Sequence, residues 1–383
     1  MKLEKYSKQA LKCALCLKMC KFVCPVASVV RREPVYPPNK ALIVHLIASK
    51  LVDINEEGDV LAKYLYLCTT CGLCSTEPWC GLKISMPEII ESARTYLASL
   101  NKVPENVLEV EKTARKNYNP YGEPNTQRFS HLNARFSDNA DVAYFIGCTS
   151  AYRRTEIANA TINILKTLNI DFTLIKEERC CGSPLLRLGF PETAKEFAQH
   201  NVSAIESMGV SKVVFTCPGC YRAFKKDYPE IDVDVPFEVY HISEFLVEQI
   251  DEKDLTQVNH EITVTYHDPC HLGRHLGIFD PPRKLLEKMG YKIKEMSWNK
   301  ESSKCCGAGG GLLHINKEIS KDIARKRLEE ALETEAKILA TSCPFCKTQF
   351  DNIANGKIMV KDITELLLET LNKTFTNEST KIV

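Results

Sequence analysis

No stretch of this 383-residue chain approaches the roughly 18 uninterrupted apolar residues of a membrane-spanning helix. The opening run MKLEKYSKQALKC lacks the apolar centre of a secretory signal. A cytoplasmic location follows as the expectation, with any membrane reached only through a partner. Net charge is nearly absent: 50 Lys and Arg against 49 Asp and Glu leave +1. That excludes broad electrostatic attraction to nucleic acid or anionic lipid. There is no low-complexity tract, and 44% hydrophobic with 26% charged residues is a globular composition. The length allows two to three domains. No flavin, haem or nicotinamide motif is evident, and Gly307–Gly311 is followed by Leu312, so the dinucleotide fingerprint fails.

What is abundant is cysteine, 18 in all. In a reducing compartment, cysteines at tight spacings read as metal or redox ligands rather than disulfides. They form three blocks, Cys13 to Cys80, Cys148 to Cys220 and Cys270 to Cys346, and the last two repeat one another. Cys148, a gap of 31, Cys180–Cys181, a gap of 35 and Cys217-Pro-Gly-Cys220 make the first copy. Cys270, a gap of 34, Cys305–Cys306, a gap of 36 and Cys343-Pro-Phe-Cys346 make the second. Such self-similarity marks an internal repeat.

Short β-rich runs deliver the cysteines in both copies: DVAYFIGC (141–148) and VVFTC (213–217), then ITVTYHDPC (262–270) and ILATSC (338–343). Helical patterns at 155–168 and 317–333 lie between them. Alternating strand and helix predicts a parallel sheet in each copy, with ligands at the carboxyl ends of strands. The first block reads as helical at 42–52 and 87–100, without strand signals. The polar, cysteine-free stretch 101–141 reads as a connection.

Cys13, Cys16, Cys20 and Cys24-Pro25, then Cys68, Cys71, Cys74 and Cys80, approximate two ferredoxin runs, in which the fourth cysteine of one run ligates the other cluster. By that logic Cys13, Cys16, Cys20 and Cys80 hold one 4Fe–4S cube, and Cys68, Cys71, Cys74 and Cys24 the other. Both runs carry insertions, at Leu17–Met19 and Ser75–Trp79. Zinc also takes four-cysteine sites, but paired C-x2-C knuckles would then be expected. Five cysteines per repeat exceed the needs of a cube or of zinc; adjacent ligands can place two sulfurs on neighbouring irons of one opened cluster. Glycines beside the pairs (Gly182, and Gly307 to Gly311) fit a backbone that approaches a bulky group. A thioredoxin-type dithiol at each C-P-x-C leaves three cysteines of every five idle. Four, four, five and five account for all 18.

YHDPCHLGRH (266–275), PPRKLLEKMG (281–290), CCGAGGG (305–311) and CPFC (343–346) resemble the second repeat of the CCG-domain family. FIGCT (145–149), RCCGSP (179–184) and CPGC (217–220) resemble its first, and NPYGEP (119–124) its linker. The architecture is similar to that of heterodisulfide reductase D subunits, which are related to the C subunit of anaerobic glycerol-3-phosphate dehydrogenase. The resemblance implies an α+β multidomain protein. Residues 1–100 form a helical ferredoxin-like domain, 101–140 a linker, and 141–250 and 251–383 two pseudo-symmetric Rossmann-like CCG domains. It further implies two cubane and two non-cubane 4Fe–4S clusters. The non-cubane pair would sit on Cys148, Cys180, Cys181, Cys217 and Cys220, and on Cys270, Cys305, Cys306, Cys343 and Cys346, with a disulfide substrate between them. The activity implied is two-electron reduction of the coenzyme M–coenzyme B heterodisulfide or a similar disulfide. The alternative is a non-catalytic subunit passing electrons between a flavoprotein and a quinone or membrane carrier. Either way the chain belongs in a hetero-oligomeric complex fed by a cytochrome b-like or flavoprotein subunit. His241, His267 and His271 are candidate proton donors or hydrogen-bonding neighbours of ligands; Arg274 and Arg283 are candidate anion contacts or surface charges.

Overall fold

The computed structural model describes residues 3–17, 19–77, 79–132, 136–137, 140–250, 255 and 262–380. Before residue 142 the described residues contain helices and no strand. Of the apolar run at 42–52, residues 42–48 lie in helix Pro37–Ala48, which both starts and ends earlier than the pattern suggested. Pro37 and Pro38 fit a first turn, where an absent N–H costs nothing. Asp53 then caps helix Ile54–Tyr66, accepting a hydrogen bond from the Asn55 N–H at 2.8 Å. Helix Met86–Ser99 completes the block's core through Ile89, Ile90, Ala93 and Leu97, all at 0% exposure.

The stretch expected as a connection contains an ordered helix, Glu105–Asn117. Val107 and Val110 join the core of the N-terminal block, while Ala114 packs beside Cys148 and Cys180. After it, buried Asn119 folds the Asn-Pro-Tyr-Gly turn on itself. Its amide donates to the carbonyls of Asn117 and Glu123, and its oxygen accepts from the Tyr121 N–H.

Two all-parallel four-stranded sheets follow. The first contains β1 (Val142–Phe145), β2 (Phe172–Leu174), β3 (Lys212–Phe215) and β4 (Glu238–His241), in the order β2-β1-β3-β4. The second contains β5 (Thr263–His267), β6 (Lys292–Ile293), β7 (Ile338–Thr341) and β8 (Met359–Asp362), in the order β6-β5-β7-β8. Position for position, the topologies are identical. β1 and β7 are buried along their whole length, as strands covered on both faces by crossover helices must be.

The repeats pack reciprocally. The helix after β1 (Thr155–Thr167) lies on the helix after β8 (Ile363–Thr380), and the helix after β4 (Ile242–Gln249) on the helix after β5 (Asp280–Lys288). Each contact is the other's counterpart under exchange of the repeats, which is the signature of a two-fold relation. A single hydrophobic core holding Tyr144, Ile162, Leu246, Tyr266, Leu285 and Leu366 runs across the boundary. That packing aims both sets of strand ends at one place.

Candidate functional site

Each repeat presents its cysteines beyond the carboxyl ends of its strands. Cys148 follows β1, Cys180–Cys181 lie beyond β2, and Cys217 follows β3 and opens helix Pro218–Arg222, which carries Cys220. Cys270, Cys305–Cys306, Cys343 and Cys346 occupy the same places after β5, β6 and β7. Proline at the first helical turn tolerates the sharp start in both C-P-x-C segments. The Cys343 sulfur accepts the Cys346 N–H at 3.4 Å, so the amide end of a helix faces the thiol.

All five cysteines of the first repeat and four of the second line one cavity of about 150 Å³. The sulfurs form a nearly continuous chain. Cys148 meets Cys180, Cys181 meets Cys220, and Cys220 meets Cys217. Cys217 meets Cys343 across the repeat boundary. The Cys346 sulfur lies 3.4 Å from that of Cys306. The remaining cysteine, Cys305, contacts Cys270 and also Cys71 of the N-terminal block. In that block Cys16 and Cys80 lie near enough to Cys13 and Cys20 to disfavour the ionisation of those two, while Cys24 sits with Cys68, Cys71 and Cys74 around a small cavity.

The donor set suits a polynuclear cationic group. All eighteen cysteines are free thiols, none fully exposed. Burial, then the neighbouring thiols, pushes Cys13 and Cys20 up to about 12. Groups so placed ionise near neutral pH only when a cation takes them. Gly147, at φ +75°, keeps the wall of the first site clear, since a Cβ there would stand 3.1 Å from the Cys220 sulfur. The glycines beside the CC pairs also admit neighbouring protein segments: a Cβ on Gly310 would come within 2.4 Å of the Cys68 carbonyl oxygen, while Gly309, Gly310 and Gly311 line the cavity as well. The insertion ending at Trp79 is also explained: its indole stacks on Trp298 of the second repeat, with centroids 5.5 Å apart.

Of the three histidines singled out, only His271 lines the cavity. His267 is buried and does not line it; Arg327 Nε donates to its Nδ1 at 3.2 Å, and its ring also meets Cys306. This histidine is therefore oriented to hydrogen-bond a thiol. His241 is fully buried at the end of β4, where its Nδ1 caps the following helix by accepting from the Ser243 N–H. Neither candidate arginine faces the cavity. Arg283 is held by Asp268 and Glu295, with Nη1 2.7 Å from Asp268 Oδ1. Arg274 donates from Nε to the Cys71 carbonyl at 2.8 Å and from Nη1 to that of Ser303.

Three other arginines shape the site, and sequence spacing gave no signal for them. Arg94, at 0% exposure, donates to the carbonyls of Leu65, Tyr66 and Cys68, and at 2.8 Å to those of Arg187 and Gly310. One cation thus joins the N-terminal block to both repeats. Arg128 forms a fully buried pair with Glu178 (2.7 Å) and points Nη2 at the Cys148 sulfur (3.5 Å), while Glu178 accepts the N–H groups of Ile146 and Gly147. Arg187 lines the cavity itself.

The model of a family described as a cysteine-rich domain, CCG, matches residues 142–225 and 264–351, and that of a 4Fe-4S dicluster domain matches 9–78. The chain is 40% identical over 325 residues to the D subunit of the dihydromethanophenazine:CoB–CoM heterodisulfide reductase of Methanosarcina barkeri, covering 79% of this chain and 77% of that one. It is 28% identical over 367 residues to the EtfAB:quinone oxidoreductase of Syntrophomonas wolfei, covering 88% of this chain and 49% of that protein. Among solved structures, a hypothetical protein from Helicobacter pylori shares the fold at a TM-score of 0.58 and 10% identity, over 96% of this chain and 76% of that one.

Proposed function

The chain belongs to the CCG-domain iron–sulfur family and is an oxidoreductase subunit related to the D subunit of heterodisulfide reductase; from that premise we propose that it is the catalytic, disulfide-reducing subunit of its complex. One observation carries the proposal: nine thiols from two pseudo-symmetric repeats line the same cavity. Residues 1–100 form the electron-receiving domain, 101–140 the linker, and 141–250 and 251–383 the paired catalytic domains. Cys13, Cys16, Cys20 and Cys80, with Cys24, Cys68, Cys71 and Cys74, hold two cubane clusters. The two five-cysteine sets hold two non-cubane ones. When bound, these clusters supply the one-electron steps that a two-electron S–S cleavage requires.

The chain's own residues define the rest. The N-terminal block touches both repeats, and Cys71 beside Cys305 brings one of its thiols against a thiol of the second. Contact between Cys217 and Cys343 supports a reading in which both sites act on one S–S bond. Apolar walls formed by Leu188, Phe345 and Pro218 keep bulk water from the sulfurs, and His271, which lines the same cavity, is the proton donor we assign to a departing thiolate. Among the described residues no helix is long and apolar enough to cross a membrane. We place the chain in the cytoplasm, receiving electrons from a flavoprotein or from a cytochrome b-like membrane protein. The substrate is the coenzyme M–coenzyme B heterodisulfide or a disulfide like it.

Similarity to an EtfAB:quinone oxidoreductase favours a second reading, in which the chain passes electrons and cleaves nothing. Anaerobically purified protein should contain about 16 irons, four per cluster, and should reduce a small disulfide when supplied with a chemical reductant. Full iron without disulfide cleavage would select the conduit; zinc in place of iron would overturn both.

A further inference from the structure

The near-neutral total charge hides an uneven distribution. Residues 1–32 hold eight Lys and Arg against one acidic residue, Glu4. The same stretch carries Cys13, Cys16 and Cys20, and beside them the chain leaves large apolar side chains in solvent. Leu15 is 77% exposed, Leu17 93%, Met19 50% and Phe22 70%. Nowhere else among the described residues do four exposed side chains of this kind fall within eight positions. Single exposed leucines are ordinary, whereas a cluster of them rimmed by polar groups marks a contact surface. Lysines supply the rim. Helix Ser7–Ala14 runs on into Leu15, whose N–H donates to the Leu11 carbonyl at 3.1 Å, so Lys8, Lys12 and Leu15 follow one another along one face. Lys8 and Lys12 are exposed, and Lys21 lies over the Phe22 ring, 5.0 Å from its centroid. Cys13 and Cys20 are buried, while Cys16, set between Leu15 and Leu17, is half-buried.

A second copy of this chain is a poor occupant, because a two-fold contact would set the same lysines against themselves. A lipid surface would accept the lysines and leucines but carries no electrons to the cysteines beside them. We propose that the patch docks an electron-donating protein whose contact face is apolar at its centre and lined with Asp and Glu at its edge. The proposal rests on the reading that the N-terminal block receives electrons, and it names the face at which they enter. Each encounter moves one electron from the partner's reduced cofactor to the group held by Cys13, Cys16, Cys20 and Cys80; the partner is oxidised, and no bond or proton moves. Opposite charges steer the encounter, and burial of Leu15, Leu17, Met19 and Phe22 supplies the affinity.

The test is made on the complex purified anaerobically with its redox subunit. A carbodiimide, which joins ammonium and carboxylate groups in contact, should link Lys8, Lys12 or Lys21 to Asp or Glu of that subunit, as read by mass spectrometry of the cross-linked peptides. Links to the subunit from other parts of this chain alone, or none, would overturn the proposal. In the iron-loaded full chain, Leu17→Asp and the double variant Lys8→Glu, Lys12→Glu should each slow reduction by the subunit about tenfold or more, and the double variant's deficit should shrink at high salt. Bleaching by dithionite should be unchanged, which separates a docking defect from failure to load iron. An unchanged rate with the subunit would overturn the proposal. So would variants that lose only binding to vesicles of phosphatidylcholine and phosphatidylglycerol, since the patch would then be a membrane contact. If the variants lose reduction by the subunit and the unaltered protein cleaves no disulfide, the docking face stands and the catalytic reading fails.

Discussion

The two repeats share a sheet order, five cysteines and the same strand-end placement, yet different groups touch their thiols. In the first, the Arg128 guanidinium reaches Cys148 from the linker, and Arg187 reaches into the cavity. In the second, the contact is His267 on Cys306, a histidine whose burial disfavours the charged form. Both repeats abut the N-terminal block, the first through Arg187 on Glu91 and the second through Cys305 on Cys71 and Arg274 on the Cys71 carbonyl. Duplication supplied symmetric ligands, and the surroundings divided the labour. On the proposed reading the second repeat receives electrons, and the Arg128 guanidinium beside Cys148 makes the first site the more easily reduced one.

The largest effect should come from removing a sulfur on either side. Cys181→Ala and Cys306→Ala should each abolish disulfide reduction, while dithionite still bleaches the visible absorption of the N-terminal block. Half activity in either variant would make the repeats independent. Next comes the relay. Cys16→Ser should slow reduction by the natural partner several-fold while sparing turnover with a small chemical reductant. Cys71→Ser should impair both, because Cys71 touches Cys305, and equal loss in the two variants would remove the distinction between an outer relay and the junction.

A smaller effect is expected at Arg128. Weakening its charged contact with Arg128→Lys should lower the first site's reduction potential relative to the second by roughly 60 mV, or about 1.4 kcal/mol for one electron. A redox titration followed by electron paramagnetic resonance reads the difference; an unchanged gap would mean that Arg128 only supports the fold. The smallest concerns two equivalent residues at the ends of β4 and β8, His241 and Asp362. Burial lowers His241 from 6.5 to about 4, so its contribution to stability is present above 6.5 and is lost as pH falls through that window. Burial raises Asp362 from 3.8 to about 7, so its contribution is present below 3.8 and is lost as pH rises toward 7. His241→Asn should therefore flatten the acid side of a plot of melting temperature against pH. Asp362→Asn, which keeps the oxygen that accepts from Thr364, should flatten the fall from 3.8 to 7.

Much of the architecture was legible because cysteine spacing and strand periodicity are local codes. The helical patterns at 155–168 and 317–333 correspond to helices Thr155–Thr167 and Lys317–Glu333, and four β-rich runs became β1, β3, β5 and β7. What escaped was nonlocal. Arg94 joins carbonyls as far away as Gly310, and Arg128 reaches Cys148 from a stretch with no cysteine pattern of its own. Arg274 and Arg283 looked like anion contacts because they sit among motif residues, whereas their partners come from other segments and only packing reveals them. The glycine cluster was assigned to cofactor approach for the same reason, although a Cβ on Gly309 or Gly310 would strike the N-terminal block, one on Gly311 the first repeat and one on Gly307 its own repeat.

The central claim is that the two five-cysteine sites share one disulfide. A crystal structure of the iron-loaded protein soaked anaerobically with a disulfide tests it most directly. The account predicts one substrate sulfur against the Cys148–Cys220 site and the other against the Cys270–Cys346 site, with the molecule lying in the cavity between them. Both sulfurs at a single site, or a substrate bound outside that cavity, would contradict it.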